Sequence, residues 1–448
     1  MSIFRAYDIR GVYPDQLNGD TAYKIGLAFG SFLGKGKVAI GADARKSSPD
    51  LSDRLAKGML ESGLDVVNVG MVPTPVLYFA VVRGKLNGGT MVTGSHNSKE
   101  FNGIKLCGKN GICFSYESGI GEVEKLVRSG ASPKKALGTF VEKKIEKDYV
   151  DFVVKGADFR RPLKVVIDAG NGVAGKISSE IFRKLGCEVI ELHCEPDGDF
   201  PNHHPDPLVP ENLKDLQAKV KETKADAGIA YDGDGDRMGV VDDKGNVFPS
   251  NKVYALLIEN VLRKNPGAKV VHEILSSKLV EDTIVTMGGI PVLSKVGHSY
   301  IEEKMIGERC VLGGETSGHY YFRESFNYDD GIFASVRLAE LLSQSGKRMS
   351  ELGNSLPKYV TSEDTRVFCH DETKFMVVER LGEKFKGLGK IITLDGVKVV
   401  MKNSWFIVRA SNTQPALVLR WEAGNEKEFK RTGDFLLKEV EKEIKSIS

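Results

Sequence analysis

Three carboxylates stand at alternate positions in Asp232-Gly-Asp234-Gly-Asp236-Arg237, separated by glycines that let the backbone fold tightly. Side chains at this spacing can converge on one hard cation, and a donor set made only of oxygens suits a divalent ion such as Mg²⁺. An EF-hand is excluded. It needs glycine at the sixth loop position and glutamate at the twelfth, where this chain has Arg237 and Asp243, and a strand-like segment, not a helix, precedes the loop. A second stretch, Thr93-Gly94-Ser95-His96-Asn97, offers a serine hydroxyl in a glycine-containing loop. Such serines ordinarily cap helices or shape turns; this one becomes a nucleophile only if its loop faces a metal. A third, Arg409-Ala-Ser411-Asn412-Thr413, gathers a guanidinium, two hydroxyls and an amide within five residues. That concentration of donors suits a phosphate oxyanion, with a polar turn between strands as the alternative.

The elements around these loops repeat. In the first segment, Lys37 to Gly41 predicts a strand, Ser48-Pro49 opens a helix running to about Gly63, Asp65 to Val69 predicts a strand, and a helix follows Pro75. A third strand, Thr90 to Val92, runs into the Ser95 loop. The second segment has strands at Lys164 to Asp168, Glu188 to Leu192 and Ala227 to Tyr231, with helices to about Leu185 and from Glu211, and ends in the Asp232 loop. The third has strands at Lys269 to Ile274, Pro291 to Ser294 and Cys310 to Leu312, with helices from Ser276 and His298. Its loop reads Gly313-Gly314-Glu315-Thr316-Ser317-Gly318-His319. Alternating strands and helices imply mainly parallel sheets, which place ligands beyond the carboxyl ends of their strands. Each repeat therefore delivers one polar loop to an equivalent position. Hairpins are expected at Gly103 to Phe114 and Gly239 to Phe248. The last 90 or so residues break the pattern, with strands near Val397 and at Leu417 to Trp421 and a charged helix from Glu426, and read as a separate α+β domain.

Other motifs compete for attention. Gly170-Asn-Gly172-Val-Ala-Gly175 follows a strand and opens a helix, with Glu191 at the end of the next strand, so it meets much of the dinucleotide-binding fingerprint. Read as a P-loop, it fails at Ile177, where a hydroxyl is needed. His203 and His204, followed by Pro205 and Pro207, suit a rigid hydrogen-bonded connection better than a metal site. Cys107, Cys113, Cys187, Cys194, Cys310 and Cys369 include no C-x-x-C pair, so spacing supports neither a zinc nor a redox motif, and buried reduced thiols are expected.

At 448 residues the chain exceeds what one core sustains, and about three domains or more are expected. Its 63 Lys and Arg nearly balance 61 Asp and Glu, and its short lysine-rich stretches alternate with glutamates, which argues against a nucleic-acid partner. Residues 1–10 lack an apolar core, and no stretch approaches a membrane-spanning length, so a cytoplasmic protein without a membrane partner is expected.

Together these residues resemble the α-D-phosphohexomutase family, most closely its phosphomannomutase/phosphoglucomutase branch. The resemblance runs through Phe4-Arg-Ala-Tyr7-Asp-Ile-Arg10-Gly, Val72-Pro-Thr-Pro-Val-Leu-Tyr78, the Ser95 loop, Asn202-His-His-Pro-Asp-Pro207, the Asp232 loop, Gly297-His298-Ser299, Gly313 to His319 and Arg409 to Thr413, and so covers nearly the whole chain. It implies three similar α/β domains and a fourth, TATA-binding-protein-like α+β domain around a central cleft. The expected boundaries are 1–140, 141–250, 251–357 and 358–448, carrying the phosphoserine, metal, sugar and phosphate loops in turn. It further implies that Ser95 is phosphorylated in the resting enzyme and that Mg²⁺ is held by Asp232, Asp234, Asp236 and an oxygen of phosphorylated Ser95. Arg237 adds positive charge there. Glu315 and Ser317 look like residues that hold sugar hydroxyls, and Arg409, Ser411, Asn412 and Thr413 like those that hold the phosphate not being transferred. Tyr7, Arg10, His96, Lys105, His298 and His319 match further cleft positions, and His298, Lys105 and His96 all qualify as general base.

The activity so implied interconverts hexose 1-phosphate and hexose 6-phosphate, of mannose or glucose, through a hexose 1,6-bisphosphate that turns round in the cleft, by a monomer or homodimer. Two features depart from relatives. Some carry a lysine where this chain reads His272-Glu-Ile-Leu-Ser-Ser277, and Thr316 stands where the mannose/glucose and glucosamine branches vary. The alternatives are a phosphoglucosamine mutase, a metal-dependent sugar-phosphate phosphatase using the same loops, and a sugar-phosphate-binding module without catalysis. The presence of Ser95 and all three aspartates argues against the last.

Overall fold

The computed structural model describes residues 2–134, 136–411 and 415–447. Three of its four sheets share one plan. In the first, Lys37–Ala42 lies between Asp65–Met71 and Gly88–Val92, parallel to both, and Gly88–Val92 then pairs antiparallel with Phe101–Gly108. In the second, Lys164–Asp168 lies between Glu188–Leu192 and Ala227–Tyr231, and the latter pairs antiparallel with Met238–Asp242. In the third, Lys269–Glu273 lies between Ile290–Ser294 and Leu312–Gly314, and the latter pairs antiparallel with Tyr320–Phe322. Each polar loop is thus the turn of an antiparallel pair at the carboxyl end of a parallel strand. The repeated segments predict mainly parallel sheets, and the strand returning from each loop adds an antiparallel partner to that parallel centre.

The first sheet is extended at both edges. Ile9–Val12 pairs with Phe101–Gly108, and Phe140–Glu142 runs parallel to Asp65–Met71, so a boundary at 140 passes through a strand. The hairpin expected over Gly103 to Phe114 is short: most of the long strand's hydrogen bonds go to Gly88–Val92 and Ile9–Val12, and the return is made by a Cys107↔Cys113 bridge with bonds from Gly108 N to the Ile112 carbonyl and from Phe114 N to the Leu106 carbonyl, both 2.9 Å. The hairpin before Phe248 forms as expected, with Met238–Asp242 against Val247–Phe248. The strand expected at Cys310 to Leu312 lies instead at Leu312–Gly314. Gly313 and Gly314, read as loop, are strand because only glycine fits: a Cβ there would come within 2.9 Å of Ile301 and 2.6 Å of the Tyr254 ring.

The C-terminal sheet is antiparallel throughout, built from Val360–Thr361, Ala416–Ala423, Ser404–Ala410, Val397–Val400 and Lys390–Ile392, with Thr365–Phe368 also pairing on Ala416–Ala423. Helices Lys374–Lys384 and Glu426–Ile447 pack on it.

Apolar packing divides the molecule unequally. One core runs through the first three units. It includes Val76, Leu77 and Phe79 of the helix Thr74–Arg83, Ile167 and Tyr231 of the second sheet, and Ile332 and Phe333 of the helix Gly331–Ser345. The C-terminal unit has its own core around Leu381, Phe406, Leu419 and Leu436. A small cluster of Ile274, Leu275, Trp405 and Ile407 joins it to the third unit. Among the described residues, no helix is long and apolar enough to cross a membrane.

Candidate active site

Ser95 sits at the turn after Gly88–Val92 with φ +48°, a left-handed backbone that a non-glycine residue adopts only when its surroundings enforce it. The enforcement comes from Arg45, itself 1% exposed. Its guanidinium donates to the carbonyls of Ser95 at 2.8 Å, Asn97 at 2.6 Å, Ser98 at 2.6 Å and Phe101 at 3.0 Å, and Nε donates to Asp43 Oδ2 at 3.1 Å. Asp43 in turn accepts the Gly94 N–H at 3.1 Å. One buried ion pair therefore ties the whole serine loop to the end of the central strand. Neither residue stands out in the sequence, where a charged pair after a strand reads as surface.

The Ser95 hydroxyl donates to Asp232 Oδ2 at 2.8 Å and lies 3.2 Å from His96 Nδ1. Ser95 is 2% exposed, and Asp232, Asp234 and Asp236 are fully buried. The loops dock backbone to backbone. A Cβ on Gly233 would meet the Ser95 carbonyl at 2.6 Å, so the glycines between the aspartates make room for the neighbouring loop as well as for the turn. The helix Thr74–Arg83 of the first unit fixes the middle aspartate: Thr74 Oγ1 donates to Asp234 Oδ2 at 2.6 Å and Thr74 N to the Asp234 carbonyl at 2.9 Å.

Ligand oxygens of the three aspartates lie within 4.8 Å of one another. Asp234 Oδ1 and Asp236 Oδ1 are buried with no hydrogen-bond partner, an arrangement that costs free energy unless a cation satisfies them. Burial, then Asp236 and Asp234, raise the Asp232 carboxyl well above its ordinary range. Burial pushes Asp236 the same way, but Lys105 outweighs it and holds that group well below. Lys105, on Phe101–Gly108, contacts Asp236 and lies 3.0 Å from Asp234 Oδ2; burial opposes its charge, but the two aspartates prevail and raise its pKa. Arg237 Nε stands 3.9 Å from Asp232 Oδ2.

The third loop meets the second directly through an Arg237↔His319 bridge and a bond from Met238 N to the Gly318 carbonyl at 3.1 Å. Glu315 accepts from Gly297 N at 2.9 Å and from the Tyr321 hydroxyl at 2.5 Å, and burial with Glu273 nearby raises its carboxyl to about 8. Ser317 Oγ lies 2.8 Å from His319 Nδ1, while His319 Nε2 lies 3.4 Å from Asp236. Tyr7 donates to the Val296 carbonyl at 3.0 Å and meets the His298 ring edge-on at 5.7 Å. Arg10 Nη1 donates to Asn97 Oδ1 at 2.6 Å. Burial, reinforced by cationic neighbours, holds His96, His298 and His319 neutral.

Most of these residues open on one cleft of about 700 Å³, lined by Tyr7, Arg10, Ser95, His96, Lys105, Arg237, His298 and His319. Glu315 and Ser317 are not among those lining residues but adjoin them, at 3.5 Å and 2.8 Å from His319 Nδ1. Arg409 is not among the lining residues; it pairs with Asp395 at 2.7 Å on the C-terminal unit and acts on Tyr7 and Glu273 electrostatically from the rim. Lys374 donates to the Ser411 carbonyl. Asn412 and Thr413 lie outside the described residues.

The dinucleotide-like turn at Gly170 is committed elsewhere: Val173 N donates to the Gly233 carbonyl at 3.1 Å and Asn171 N to His193 O at 2.8 Å, so its amides support the aspartate loop. His203 serves that turn through a contact of 3.1 Å to Asp168, as a hydrogen-bonded connection should. All six cysteines are buried and free. Sequence reasoning passed over Arg45, Asp43, Thr74 and Asp329. The last is 1% exposed, with both carboxylate oxygens unpartnered, and lies 3.7 Å from His319 Nε2. A doublet of aspartates between Tyr328 and Gly331 was its one visible signal.

Three α/β/α units presenting serine, aspartate and histidine-glutamate loops to one cleft define a phosphoryl-transferring class of enzyme, and comparison with known proteins agrees. Domains I, II and III, each described as a phosphoglucomutase/phosphomannomutase alpha/beta/alpha domain, match residues 1–133, 147–245 and 249–359, and that family's C-terminal domain matches 365–439. The chain belongs to the phosphoglucomutase/phosphomannomutase family of hexose-phosphate mutases. It is 43% identical over 437 residues to a phosphomannomutase/phosphoglucomutase of Pseudomonas aeruginosa, covering 96% of this chain and 93% of that one. It is 41% identical to a phosphoglucomutase of Neisseria gonorrhoeae, covering 96% and 94%. A crystal structure of a phosphoglucomutase/phosphomannomutase family protein from Burkholderia thailandensis superposes with a TM-score of 0.92 at 37% identity, over 98% of this chain and 97% of that one.

Proposed function

We propose that this mutase acts on the 1- and 6-phosphates of mannose and glucose, the sugars named in its relatives, and carries the transferred phosphoryl group on Ser95. The observation that supports this most directly is the 2.8 Å contact between the Ser95 hydroxyl and the first of three buried aspartates. Asp232, Asp234 and Asp236 fit Mg²⁺, because the set is all oxygen and two of its buried oxygens have no other partner. When bound, Mg²⁺ supplies Lewis-acid stabilisation of charge on the phosphoryl oxygens.

The side chains do the rest. A sugar hydroxyl oxygen bonds to phosphorus while the bond from phosphorus to Ser95 Oγ breaks, and the hydroxyl proton must find a base. Lys105 is committed as a cation between Asp234 and Asp236, so it contributes charge, not a lone pair. His96 and His298 keep free lone pairs but are weak bases, because the burial that holds them neutral disfavours their protonation, so a proton from the sugar is only passed on through them; His96 Nδ1 stands 3.2 Å from Ser95 Oγ. Arg237 and Arg10 offset charge on the phosphoryl group. Glu315 and Ser317 hold ring hydroxyls, groups that a sugar presents in either orientation. Arg409, Ser411, Asn412 and Thr413 clamp the resting phosphate, which lets a hexose 1,6-bisphosphate turn round and return its other phosphate to Ser95. Closure of the C-terminal unit keeps water from the phosphoserine.

The test is a coupled assay offering mannose 1-phosphate, glucose 1-phosphate and glucosamine 1-phosphate, each with a catalytic amount of the corresponding bisphosphate. Turnover of the first two, with one phosphoryl mass on the wild-type protein that is missing from Ser95→Ala, is expected. Free phosphate released as fast as the isomer forms would replace the mutase by a phosphatase, and a clear preference for glucosamine 1-phosphate would correct the substrate.

A further inference from the structure

Beside the cleft, a second group of ligand-type side chains comes together from distant parts of the chain. His298 opens the helix His298–Gly307, Glu302 follows one turn later, and Cys113 arrives from the segment after Phe101–Gly108. One ligand atom from each lies within 4.8 Å of the others. Glu302 is fully buried and Cys113 is 5% exposed. The Cys113 N–H donates to Glu302 Oε2 at 2.7 Å, yet Glu302 Oε1 is enclosed without a hydrogen-bond partner, and so is His298 Nδ1. Two unmatched lone-pair groups in one buried cluster destabilise the fold unless something binds there. The phosphoryl chemistry uses neither Cys113 nor Glu302; Cys113 also packs at the edge of the shared apolar core.

We propose that Cys113, His298 and Glu302 form a second divalent-cation site that takes a thiolate-preferring ion of the zinc class, and that its occupation ties down His298 and slows turnover. Sulfur, imidazole and carboxylate together are a zinc-type set, with a fourth position left to water, whereas Mg²⁺ takes oxygens alone. Tetrahedral ligands stand about 3.5 Å apart, so the three groups need draw in by little more than about 1 Å. The surroundings suit the change. Cys113 Sγ now donates to the Tyr78 hydroxyl at 2.9 Å, and Tyr78 is 1% exposed. As the metal–sulfur bond forms, the thiol proton leaves to solvent and the Tyr78 O–H turns to donate to the thiolate, the outer-shell support such ligands receive. The site is insulated from the aspartate triad by ligand type. Its effect on turnover, though not its existence, rests on His298 acting in the reaction.

The experiment uses the full-length protein saturated with Mg²⁺ and titrated with Co²⁺ as the spectroscopic probe. One further ion per chain should bind, with a thiolate-to-cobalt charge-transfer absorption in the near ultraviolet that oxygen ligands do not produce. Cys113→Ser should lose that band, and Glu302→Gln, which keeps the shape of the side chain, should weaken binding by more than about tenfold. In parallel, Zn²⁺ should inhibit the wild type under saturating Mg²⁺ and leave Cys113→Ser, whose turnover without Zn²⁺ is expected to match wild type, largely unaffected. No band in the wild type, or a band that survives in Cys113→Ser, overturns the site without touching the mutase assignment. Inhibition equal in both proteins overturns the effect on turnover and moves Zn²⁺ to the Asp232 loop.

Discussion

The first three units and the fourth are held by different means. Units one to three share a continuous apolar core, and the loop that carries Ser95 is pinned by buried Arg45 while the helix beside it pins Asp234. The fourth unit meets the third through four buried apolar residues with Leu293, Val296, Ile392 and Val400 packed against them, and through bonds that include Lys398 Nζ to the Ile274 carbonyl at 2.6 Å and Lys278 N to Glu422 Oε1 at 2.7 Å. Groups that must meet within a fraction of an ångström at the phosphorus are locked together. Those proposed to hold the far phosphate ride on a lightly attached unit. Transfer geometry and substrate turnaround make opposite demands on rigidity, and the packing separates them.

The contrast can be broken from either side. The largest effect is expected for Ser95→Ala, which should lower turnover by about 10⁴-fold or more while leaving phosphosugar binding, measured by calorimetry, nearly intact. Arg45→Met comes next. It leaves Asp43 buried without its partner, so unfolding in urea should show a loss of about 3–5 kcal/mol, and kcat should fall about a hundredfold with little change in KM. If KM rose while kcat held, Arg45 would not be a positioning residue.

The joint to the fourth unit should respond to acid. Burial, with Lys398 adding to it, lowers His272 to about 4 from an ordinary 6.5. A depressed histidine contributes stability that is present above pH 6.5 and lost as pH falls toward 4, here up to about 3 kcal/mol. Thermal unfolding followed by Trp405 fluorescence should therefore weaken across that window in wild type, and His272→Phe should flatten the curve. Arg409→Ala should raise KM for the phosphosugar about tenfold with a smaller effect on kcat; equal loss in both would mean the clamp works only in the transition state. The smallest change is expected for Asp199→Ala, which removes an exposed ion pair with Lys46 between the first and second units. Such pairs are screened by solvent and contribute little, so an unmoved melting temperature is expected; a clear drop would mean that this pair helps to join the two units.

How much of this was legible depended on how local each signal was. The strands Lys164–Asp168, Glu188–Leu192 and Ala227–Tyr231 fall where short apolar runs bounded by turns predict them, and the aspartate loop announces its chemistry through spacing alone. Gly313 and Gly314 were misread because glycine signals a turn locally, while the ring of Tyr254 that demands glycine in a strand comes from 60 residues away. The helix Lys374–Lys384 and most C-terminal strands went unread beside the stronger pattern of the repeats. Arg45 looked like a surface charge, since the four carbonyls it binds belong to a loop fifty residues further on. The Cys113, His298 and Glu302 cluster has no motif at all, because 185 residues separate its cysteine from its histidine.

One distance has a consequence in time. Ser95 and its hydrogen-bond partner Asp232 are 137 residues apart. A ribosome adding about 5–20 residues per second exposes the serine roughly seven to twenty-seven seconds before the aspartate loop emerges. A chain broken off in that interval would carry the proposed nucleophile without the aspartates proposed to hold its metal, so incomplete products are expected to transfer no phosphoryl group to or from phosphosugars.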